Sequence, residues 1–162
     1  IYFFNLVNLK PGEAIFQDAG ILHAYLEGQN LEIMANSDNV LRGGLTNKKI
    51  DVPELLKLVR FEPVVPQIIK GLKVNDSMEE AFITPAADFE LRRIILASNS
   101  STEITCHTTD IFLVTEGTIS ASANKITIPL KKGECFLSTE GAVIHFHSGS
   151  EGAVVFHATV PE

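Results

Sequence analysis

The stretch Leu9-Lys10-Pro11-Gly12-Glu13 returns 121 residues later as Leu130-Lys131-Lys132-Gly133-Glu134. At the same offset the match extends to two further pairs, Gly20 with Gly141 and Tyr25 with Phe146. A glycine turn followed by a strand is common, so a short match of this kind also arises by chance. The long shared spacing favours two copies of one β unit.

The rest of the chain consists largely of short apolar runs that are interrupted by Gly, Asn, Asp and Ser. A spacing of about 8–12 residues between such interruptions is typical of a β-sandwich or barrel. The pattern predicts strands at residues 3–8, 13–17, 23–27, 31–35, 91–97, 102–105, 111–116, 118–123, 125–129, 134–137, 142–147 and 153–159.

A different composition separates the two groups of predicted strands. Asp51 can cap a helix, Pro53 is tolerated in the first turn and Glu54 is the expected capping-box partner, so residues 52–59 predict a helix. The prolines that follow at positions 63 and 66 indicate an extended linker. We therefore predict a β segment at 1–46, a helical connector and linker at 47–84, and a complete β domain at 85–162.

Composition excludes several classes of function. The 162 residues carry 13 Lys and Arg against 20 Asp and Glu, a net charge of −7, and no basic run, which disfavours nucleic acid and acidic membrane surfaces as partners. No apolar run approaches the roughly 18 residues of a membrane span. Cys106 and Cys135 form neither a disulfide framework nor a metal motif, and we expect them to pack as small apolar side chains. A reducing, cytoplasmic setting is the corresponding expectation.

One spacing in the first copy points to a family of β-barrels. Gly12, the turn Asp18-Ala19-Gly20 and His23 resemble the second conserved motif of the cupins, although that family usually has Pro where this chain has Asp18. The resemblance implies a double-stranded β-helix (jelly roll) in which His23 is a metal ligand. Without the motif, a histidine flanked by apolar residues is more simply a hydrogen-bonded core residue.

The second copy differs from the first at its chemical positions. Ile144 stands at the ligand position, and Thr105 and Cys106 stand where the first cupin motif has imidazoles. We therefore expect a partial catalytic barrel at 1–46 and a metal-free cupin-like domain at 85–162, with Asp110 as a turn residue. His145 and His147, with His157 on the next predicted strand, are interpreted as surface or edge-strand histidines and not as a metal site.

The segment from His23 to Lys49 narrows the resemblance further. His23-Ala24-Tyr25-Leu26, followed by the run from Leu31 to Thr46 that contains Arg42-Gly43-Gly44, closely resembles the type I mannose-6-phosphate isomerases. That family interconverts mannose 6-phosphate and fructose 6-phosphate with one Zn²⁺. The resemblance therefore implies a phosphorylated hexose as substrate.

The resemblance also assigns roles to individual residues. It implies that His23 is the last protein ligand of the zinc, that Tyr25 and Glu32 line the substrate cavity, that Arg42 faces the sugar and that Lys48 lies near the phosphate. The other zinc ligands of the family, a Gln-x-His pair and a Glu, match no segment of this chain. We expect them upstream of Ile1, and we expect the 162 residues alone to be inactive and to bind zinc weakly.

These residue types suit an aldose–ketose isomerisation. Negative charge develops on the sugar oxygens of a cis-enediol(ate), and a metal ion or a guanidinium stabilises it. Arg42 stays cationic and is an unlikely base. This segment offers Glu32 and Asp38 as base candidates, and a base upstream of the segment stays open as the alternative. Two alternatives stay open: a two-cupin protein that binds a sugar or nucleotide sugar without turnover, and a cupin oxygenase or decarboxylase that uses iron or manganese.

Interpretations that give the same residues only a structural role also stay open. Tyr25 is equally explained by core packing, and Arg42 before Gly43-Gly44 by an ordinary surface position next to a turn.

Overall fold

The computed structural model describes residues 4–37, 40–74 and 77–161, and the chain divides between Ile69 and Lys70 into two compact units. This dividing point lies inside the segment 47–84 that the sequence predicts as a connector. Residues 70–84 are counted with the second unit and contribute two of its strands. The three-part division into 1–46, 47–84 and 85–162 stays a prediction.

The first unit has little regular structure. It contains β1 (Glu13–Ile15), α1 (Val52–Leu58) and most of β2 (Ile68–Lys70), and β1 pairs with β2 in a two-stranded sheet. The strands predicted at 23–27 and 31–35 are wrong, as is the strand predicted at 3–8 over residues 4–8, whereas Phe3 lies outside the described residues. A strand is held by hydrogen bonds to a neighbour, and the described chain offers these apolar runs no neighbouring strand.

Helix α1 begins as the sequence predicts. Asp51 Oδ1 accepts a hydrogen bond of 3.1 Å from the backbone N–H of Glu54, and Pro53 lies in the first turn. The Glu54 carboxylate pairs with Lys57 Nζ at 2.7 Å, so it does not act as the predicted capping-box partner. The helix ends at Leu58, one residue before the predicted end.

The second unit is an antiparallel sheet with the pairing order β3-β4-β5-β10-β7-β8, in which β6 also pairs with β10 and β9 with β7. Within the described residues the sheets do not close into a barrel. The predicted mainly β fold with one short helix is confirmed. The strands of this unit are β3 (Leu72–Lys73), β4 (Glu79–Phe82), β5 (Glu90–Leu96), β6 (Ser101–Thr105), β7 (Asp110–Ala123), β8 (Ile126–Lys131), β9 (Cys135–Ser138) and β10 (Val143–Thr159).

Strands β7 and β10 each join two runs that the sequence predicts as separate strands. The register of β10 against β7 shifts between Ser148 and Ala153, and Gly152 at this shift has a φ of +76°. A Cβ atom on Gly152 would lie 2.6 Å from the carbonyl oxygen of Leu96. Glycine at a bulge lets a strand change direction without ending. Gly117 in β7 and Gly152 in β10, which indicate turns in the sequence, therefore lie within continuous strands.

The core of the second unit is built from side chains that alternate along the central strands. Ile94, Phe112, Val114, Phe146 and Val155 are each at most 1% exposed. Phe112 packs against Phe146 with ring centroids 5.3 Å apart. Residues two apart share one face of a strand, so the alternation fixes which side chains of β7 and β10 point inward.

The two copies of the repeat form the same turn. The backbone N–H of Glu13 donates to the Lys10 carbonyl at 2.9 Å, and Glu13 Oε2 accepts from the Lys10 N–H at 2.9 Å. In the second copy the corresponding bonds join Glu134 and Lys131, both at 3.0 Å. The central glycines have φ values of +83° and +88°. The repeat inferred from sequence is therefore supported by identical backbone and side-chain hydrogen bonds.

Candidate functional site

The residue predicted as a metal ligand follows a second turn that both copies share. Gly20 has a φ of +80° and the matching Gly141 a φ of +78°, and each turn is closed by an i-to-i+3 backbone hydrogen bond, of 3.4 Å and 3.2 Å respectively. Glycine is favoured at such positions because they lie in the left-handed region. His23 and Ile144 each lie three residues beyond these glycines.

The His23 imidazole is exposed and has one nitrogen engaged by the backbone. His23 Nδ1 lies 3.0 Å from the carbonyl oxygen of Ile21. Because a carbonyl oxygen only accepts hydrogen bonds, this contact requires the proton on Nδ1 and leaves the lone pair of Nε2 free in the neutral ring. Metal-binding histidines commonly donate their other N–H to a carbonyl or carboxylate. The geometry of His23 therefore fits a metal ligand that binds through Nε2.

Two of the predicted substrate residues cluster with His23. The rings of His23 and Tyr25 meet edge to face, with centroids 6.0 Å apart and planes at 70°. Tyr25 is 61% exposed as a residue, yet partial burial of its hydroxyl raises the pKa, as does its hydrogen bond with the Glu32 carboxylate. The Tyr25 hydroxyl therefore stays protonated and donates to Glu32.

The predicted catalytic arginine is placed by the glycine beside it. A Cβ atom on Gly43 would lie 2.5 Å from Leu22 Cδ2, so the backbone next to Arg42 packs against the residue next to His23. The Arg42 side chain is exposed and forms no hydrogen bond or ion pair with the described residues. The two segments are thus adjacent, while the guanidinium itself is free to meet an anion.

The predicted phosphate-binding lysine lies further along the same segment. Lys48 is exposed, and its backbone N–H donates to Thr46 Oγ1 at 3.1 Å. Within the described residues the structure gives no contact of Lys48 with the cluster of His23, Tyr25 and Glu32. The other base candidate, Asp38, lies outside the described residues.

In the second unit the positions that match His23 and Tyr25 lie in strand β10, so the burial of their side chains can be compared with that of His23 and Tyr25. Ile144, which matches His23, is 5% exposed, and Phe146, which matches Tyr25, is 1% exposed. Both side chains belong to the hydrophobic core. The positions that match His23 and Tyr25 thus face inward in the second copy, whereas His23 and Tyr25 themselves are exposed.

A buried polar network in the second unit was missed by the sequence interpretation. His157 was expected at the surface, but it is 2% exposed, and its ring stacks on Phe112 with centroids 4.4 Å apart. His157 Nδ1 bonds to Glu79 Oε1 at 2.7 Å, and Nε2 lies 3.3 Å from Asp110 Oδ2 without hydrogen-bond geometry. Alternation with the buried Val155 is the signal that could have placed His157 inside.

Asp110 is the first residue of β7 and is buried, at 1% exposure, so the expectation that it is a turn residue is wrong. Burial alone would raise the pKa of Asp110. Hydrogen bonds from Thr159, Cys106 and Thr108, with the charge of His157, outweigh it and hold the pKa below the usual value.

The two cysteines differ in environment. Cys106 is fully buried as expected, and burial raises the pKa of its thiol to about 11. Cys135 is exposed, so the expectation that it packs inside is wrong.

The other histidines of β10 are exposed, as the sequence predicts. His145 Nδ1 lies 3.0 Å from Glu103 Oε2, and His147 Nδ1 lies 2.9 Å from Ser101 Oγ. Phe146, between them, faces the core. Across the described ranges no group of three or more His, Cys, Asp and Glu residues could hold a metal ion. The single helix that the structure describes is too short to cross a membrane.

No protein-family profile matches the chain. Curated proteins do: the mannose-6-phosphate isomerase of Salmonella typhimurium is 43% identical over 130 residues, which are 80% of this chain and 33% of that protein. The Bos taurus mannose-6-phosphate isomerase is 39% identical over 142 residues, with 82% and 33% covered. Mannose-6-phosphate isomerase 1 of Arabidopsis thaliana is 33% identical over 151 residues, with 93% and 35% covered. The chain therefore spans about a third of the length of these relatives.

Solved structures agree with these relatives. The chain is similar to the crystal structure of the Salmonella typhimurium mannose 6-phosphate isomerase bound to fructose 6-phosphate and zinc, with a TM-score of 0.62 and 30% identity over 80% of this chain and 32% of that one. The apo form of the same protein gives a TM-score of 0.61. The predicted resemblance to the mannose-6-phosphate isomerases is confirmed, and so is the cupin type of the fold.

Proposed function

We propose that this chain, as a homologue of the mannose-6-phosphate isomerases, forms part of a zinc-dependent enzyme that interconverts mannose 6-phosphate and fructose 6-phosphate. The observation that carries the proposal is the His23 imidazole, whose Nδ1–H is taken by the Ile21 carbonyl and whose Nε2 is free to bind a metal. One imidazole does not hold zinc alone. The remaining ligands, a Gln-x-His pair and a Glu, are proposed to come from residues outside this chain.

The internal repeat supports an inward direction for this imidazole. The matching Ile144 faces the core of the second unit, and the turns that precede the two positions have the same geometry. In a completed barrel, inward side chains from neighbouring strands converge on one point. His23 would then share its cavity with Tyr25, which lies against it now.

We propose that Tyr25 and Glu32 bind the sugar as a hydrogen-bonded pair. The Tyr25 hydroxyl donates to the Glu32 carboxylate, so the second oxygen of that carboxylate and the lone pairs of the hydroxyl can meet sugar hydroxyl groups. Polar groups that are held by one another before the substrate arrives lose less freedom on binding. This pair would therefore orient the hexose rather than transfer its proton.

Arg42 is proposed to stabilise the charge that develops in the reaction. Proton transfer between C1 and C2 passes through a cis-enediol(ate), in which negative charge builds on the two sugar oxygens. A guanidinium keeps its charge at any working pH and binds two oxygens at once. Bound zinc would supply Lewis-acid stabilisation at the same oxygens. Because Arg42 has no partner among the described residues, its charge is available to the substrate.

The phosphate group needs positive partners on a chain of net charge −7. Arg42, Lys48 and Lys49 lie within eight positions, and all three are exposed. Lys48 is proposed to meet the phosphate, because a lysine ammonium binds this group as a point charge. The whole chain has no basic run, and its acidic residues outnumber its basic ones, which supports a small anionic ligand rather than a nucleic acid as its partner. The two free thiols support a reducing, cytoplasmic setting as part of the same proposal.

The experiment that tests the proposal measures zinc content and mannose 6-phosphate isomerisation on the full-length protein that contains this chain. We expect one zinc per chain and turnover, and we expect His23→Ala to lose both. His147→Ala is the matched control, because His147 is an exposed histidine bonded to Ser101 in the other unit. Stoichiometric zinc in the His23→Ala protein would reject the ligand role. Zinc and sugar-phosphate binding without turnover would favour a sugar-binding cupin.

A further inference from the structure

The turn that leads to His23 is held by the chain that leaves helix α1. Asp18 Oδ2 accepts a hydrogen bond of 2.7 Å from Arg60 Nη1, and the backbone N–H of Arg60 donates to the Gly20 carbonyl at 2.9 Å. Asp18 Oδ1 also accepts from the N–H of Ala19 at 2.8 Å. One carboxylate thus joins the turn to itself and to a residue 42 positions later.

The same place is closely packed. A Cβ atom on Gly20 would lie 2.7 Å from the Leu58 carbonyl oxygen and 3.2 Å from Arg60 Cγ. The φ of Gly20, +80°, also disfavours any other residue. The turn therefore lies directly against Leu58, the last residue of α1, and it also contacts the side chain of Arg60. We call the pair of Asp18 and Arg60, with the bond from Arg60 to Gly20, the Asp18–Arg60 clamp.

The clamp holds Gly20, and the next residue, Ile21, carries the carbonyl oxygen that orients His23. The Ile21 carbonyl accepts the Nδ1–H of His23, and Ile21 directly follows Gly20. A shift of the turn moves this carbonyl, and the imidazole rotates with it. Groups that orient a metal ligand affect metal affinity although they do not touch the metal.

The second copy of the repeat holds its turn in another way. Gly141 donates to the Cys106 carbonyl at 2.8 Å, and Cys106 donates to the Ala142 carbonyl at 2.8 Å, so backbone bonds alone fix the turn. Thr139 stands where the first copy has Asp18, and a threonine cannot form an ion pair. The charged clamp therefore belongs to the copy that carries the histidine.

We propose that Asp18 and Arg60 are positioning residues for His23, and that the clamp slows the loss of zinc by fixing the direction of the imidazole. This inference rests on the proposed function. Both side chains are about half exposed, at 49% for Arg60 and 48% for Asp18, so the ion pair contributes little to folding. Its effect should appear in metal retention and not in global stability.

The test compares two single variants of the full-length protein, their double variant and one control. Arg60→Ala removes the side-chain half of the clamp, and Asp18→Asn removes the charge but keeps an acceptor for Ala19. Lys57→Ala is the control, because it deletes an exposed cation of α1 whose ion pair with Glu54 has the same 2.7 Å length. Zinc release is measured by transfer to a chromophoric chelator, and amide hydrogen exchange of residues 21–24 is measured in the zinc-free protein.

We expect release to accelerate about threefold to tenfold in Arg60→Ala and Asp18→Asn, somewhat less than for direct partners of a metal ligand. The double variant should release no faster than either single variant, because both changes break one contact. Exchange at 21–24 should also accelerate, and Lys57→Ala should match the parent in both measurements. If the Arg60→Ala protein fails to fold, zinc release and amide exchange in the Asp18→Asn protein decide whether the proposal holds.

Two results separate the possible failures. Parent-like zinc release and exchange in Asp18→Asn would overturn the clamp while leaving the isomerase proposal intact. A parent protein that binds no zinc would overturn the proposed function itself. In that case the exchange of residues 21–24 still shows whether the clamp orders the turn.

Discussion

His157 and Glu79 are hydrogen-bonded at 2.7 Å although 78 positions separate them in the chain, and both side chains are less than 5% exposed. The bond joins the first residue of β4 to the inner face of β10. Glu79 Oε2 also lies 3.3 Å from Arg92 Nη1, and Arg92 Nε donates to Glu90 Oε1. Removing this buried carboxylate would leave His157 Nδ1 without its hydrogen-bond partner and Arg92 with Glu90 alone.

Glu79→Ala should lower the free energy of unfolding of the second unit by about 3 kcal/mol, because it leaves the buried His157 ring without its hydrogen-bond partner. Urea unfolding followed by circular dichroism measures the change. Glu103→Ala is the control, since it removes a His–Glu pair, with His145, in which both side chains are more than half exposed. That change should cost less than about 1 kcal/mol. Equal decreases in the free energy of unfolding of the two variants would contradict the expectation that the buried pair stabilises the fold more than the exposed pair does.

Asp110 should make stability depend on pH in the acid range. Its pKa is lower in the folded state, so the unfolded chain binds more protons and the stabilisation is complete only above the unfolded pKa, about 3.9. It is lost as the pH falls through the folded pKa. Urea midpoints measured between pH 6 and 3 should therefore fall more steeply for the parent than for Asp110→Asn. Asp88→Asn, at an exposed site, should keep the slope of the parent.

The two thiols should react at different rates. Burial raises the pKa of Cys106 to about 11, so little thiolate forms at pH 8, whereas Cys135 is exposed. An aromatic disulfide reagent should modify one thiol per chain rapidly and the second only after unfolding. Cys135→Ser should abolish the rapid phase and Cys106→Ser should keep it. A rapid phase that survives Cys135→Ser would show that Cys106 is accessible.

Arg42→Ala should leave the fold unchanged and lower kcat/KM for mannose 6-phosphate in the full-length protein by about 10²-fold, the effect of losing one donor to a developing oxyanion. The side chain is exposed and forms no hydrogen bond or ion pair with the described residues, so little stability depends on it. Steady-state kinetics and thermal unfolding check both expectations. Lys57→Ala carries the same change in charge and should keep full activity. An unchanged kcat/KM in Arg42→Ala would reject its role.

Local chemistry made part of the fold predictable. The N-cap at Asp51 and the proline after it define the start of α1 within a few residues, and the turn glycines mark both copies of the repeat. The predicted strands at 23–27 and 31–35 have the apolar pattern of strands. These two predictions are wrong because an apolar pattern indicates only that one face of a segment is to be buried. A strand also needs a neighbouring strand with which its backbone forms hydrogen bonds.

The buried network was not predictable in the same way. Glu79 lies in a strand that no apolar alternation marks, and its partner His157 lies on the far side of a register shift in β10. Glu79 looks like an ordinary surface residue when its neighbours in sequence are the only context, and alternation with Val155 is the one local signal at His157. Tertiary contacts between β4, β5, β7 and β10 decide their environment. By contrast, His23 is recognisable because the turn before it is local.

Strand β10 pairs with β5, β6 and β7, all of which precede it in the chain. During synthesis those three strands leave the ribosome without the strand that lies between them. Their apolar faces stay available to chaperones, or to one another in wrong registers, until Thr159 has emerged. Translation beyond that residue should therefore limit how early the second unit reaches its native state.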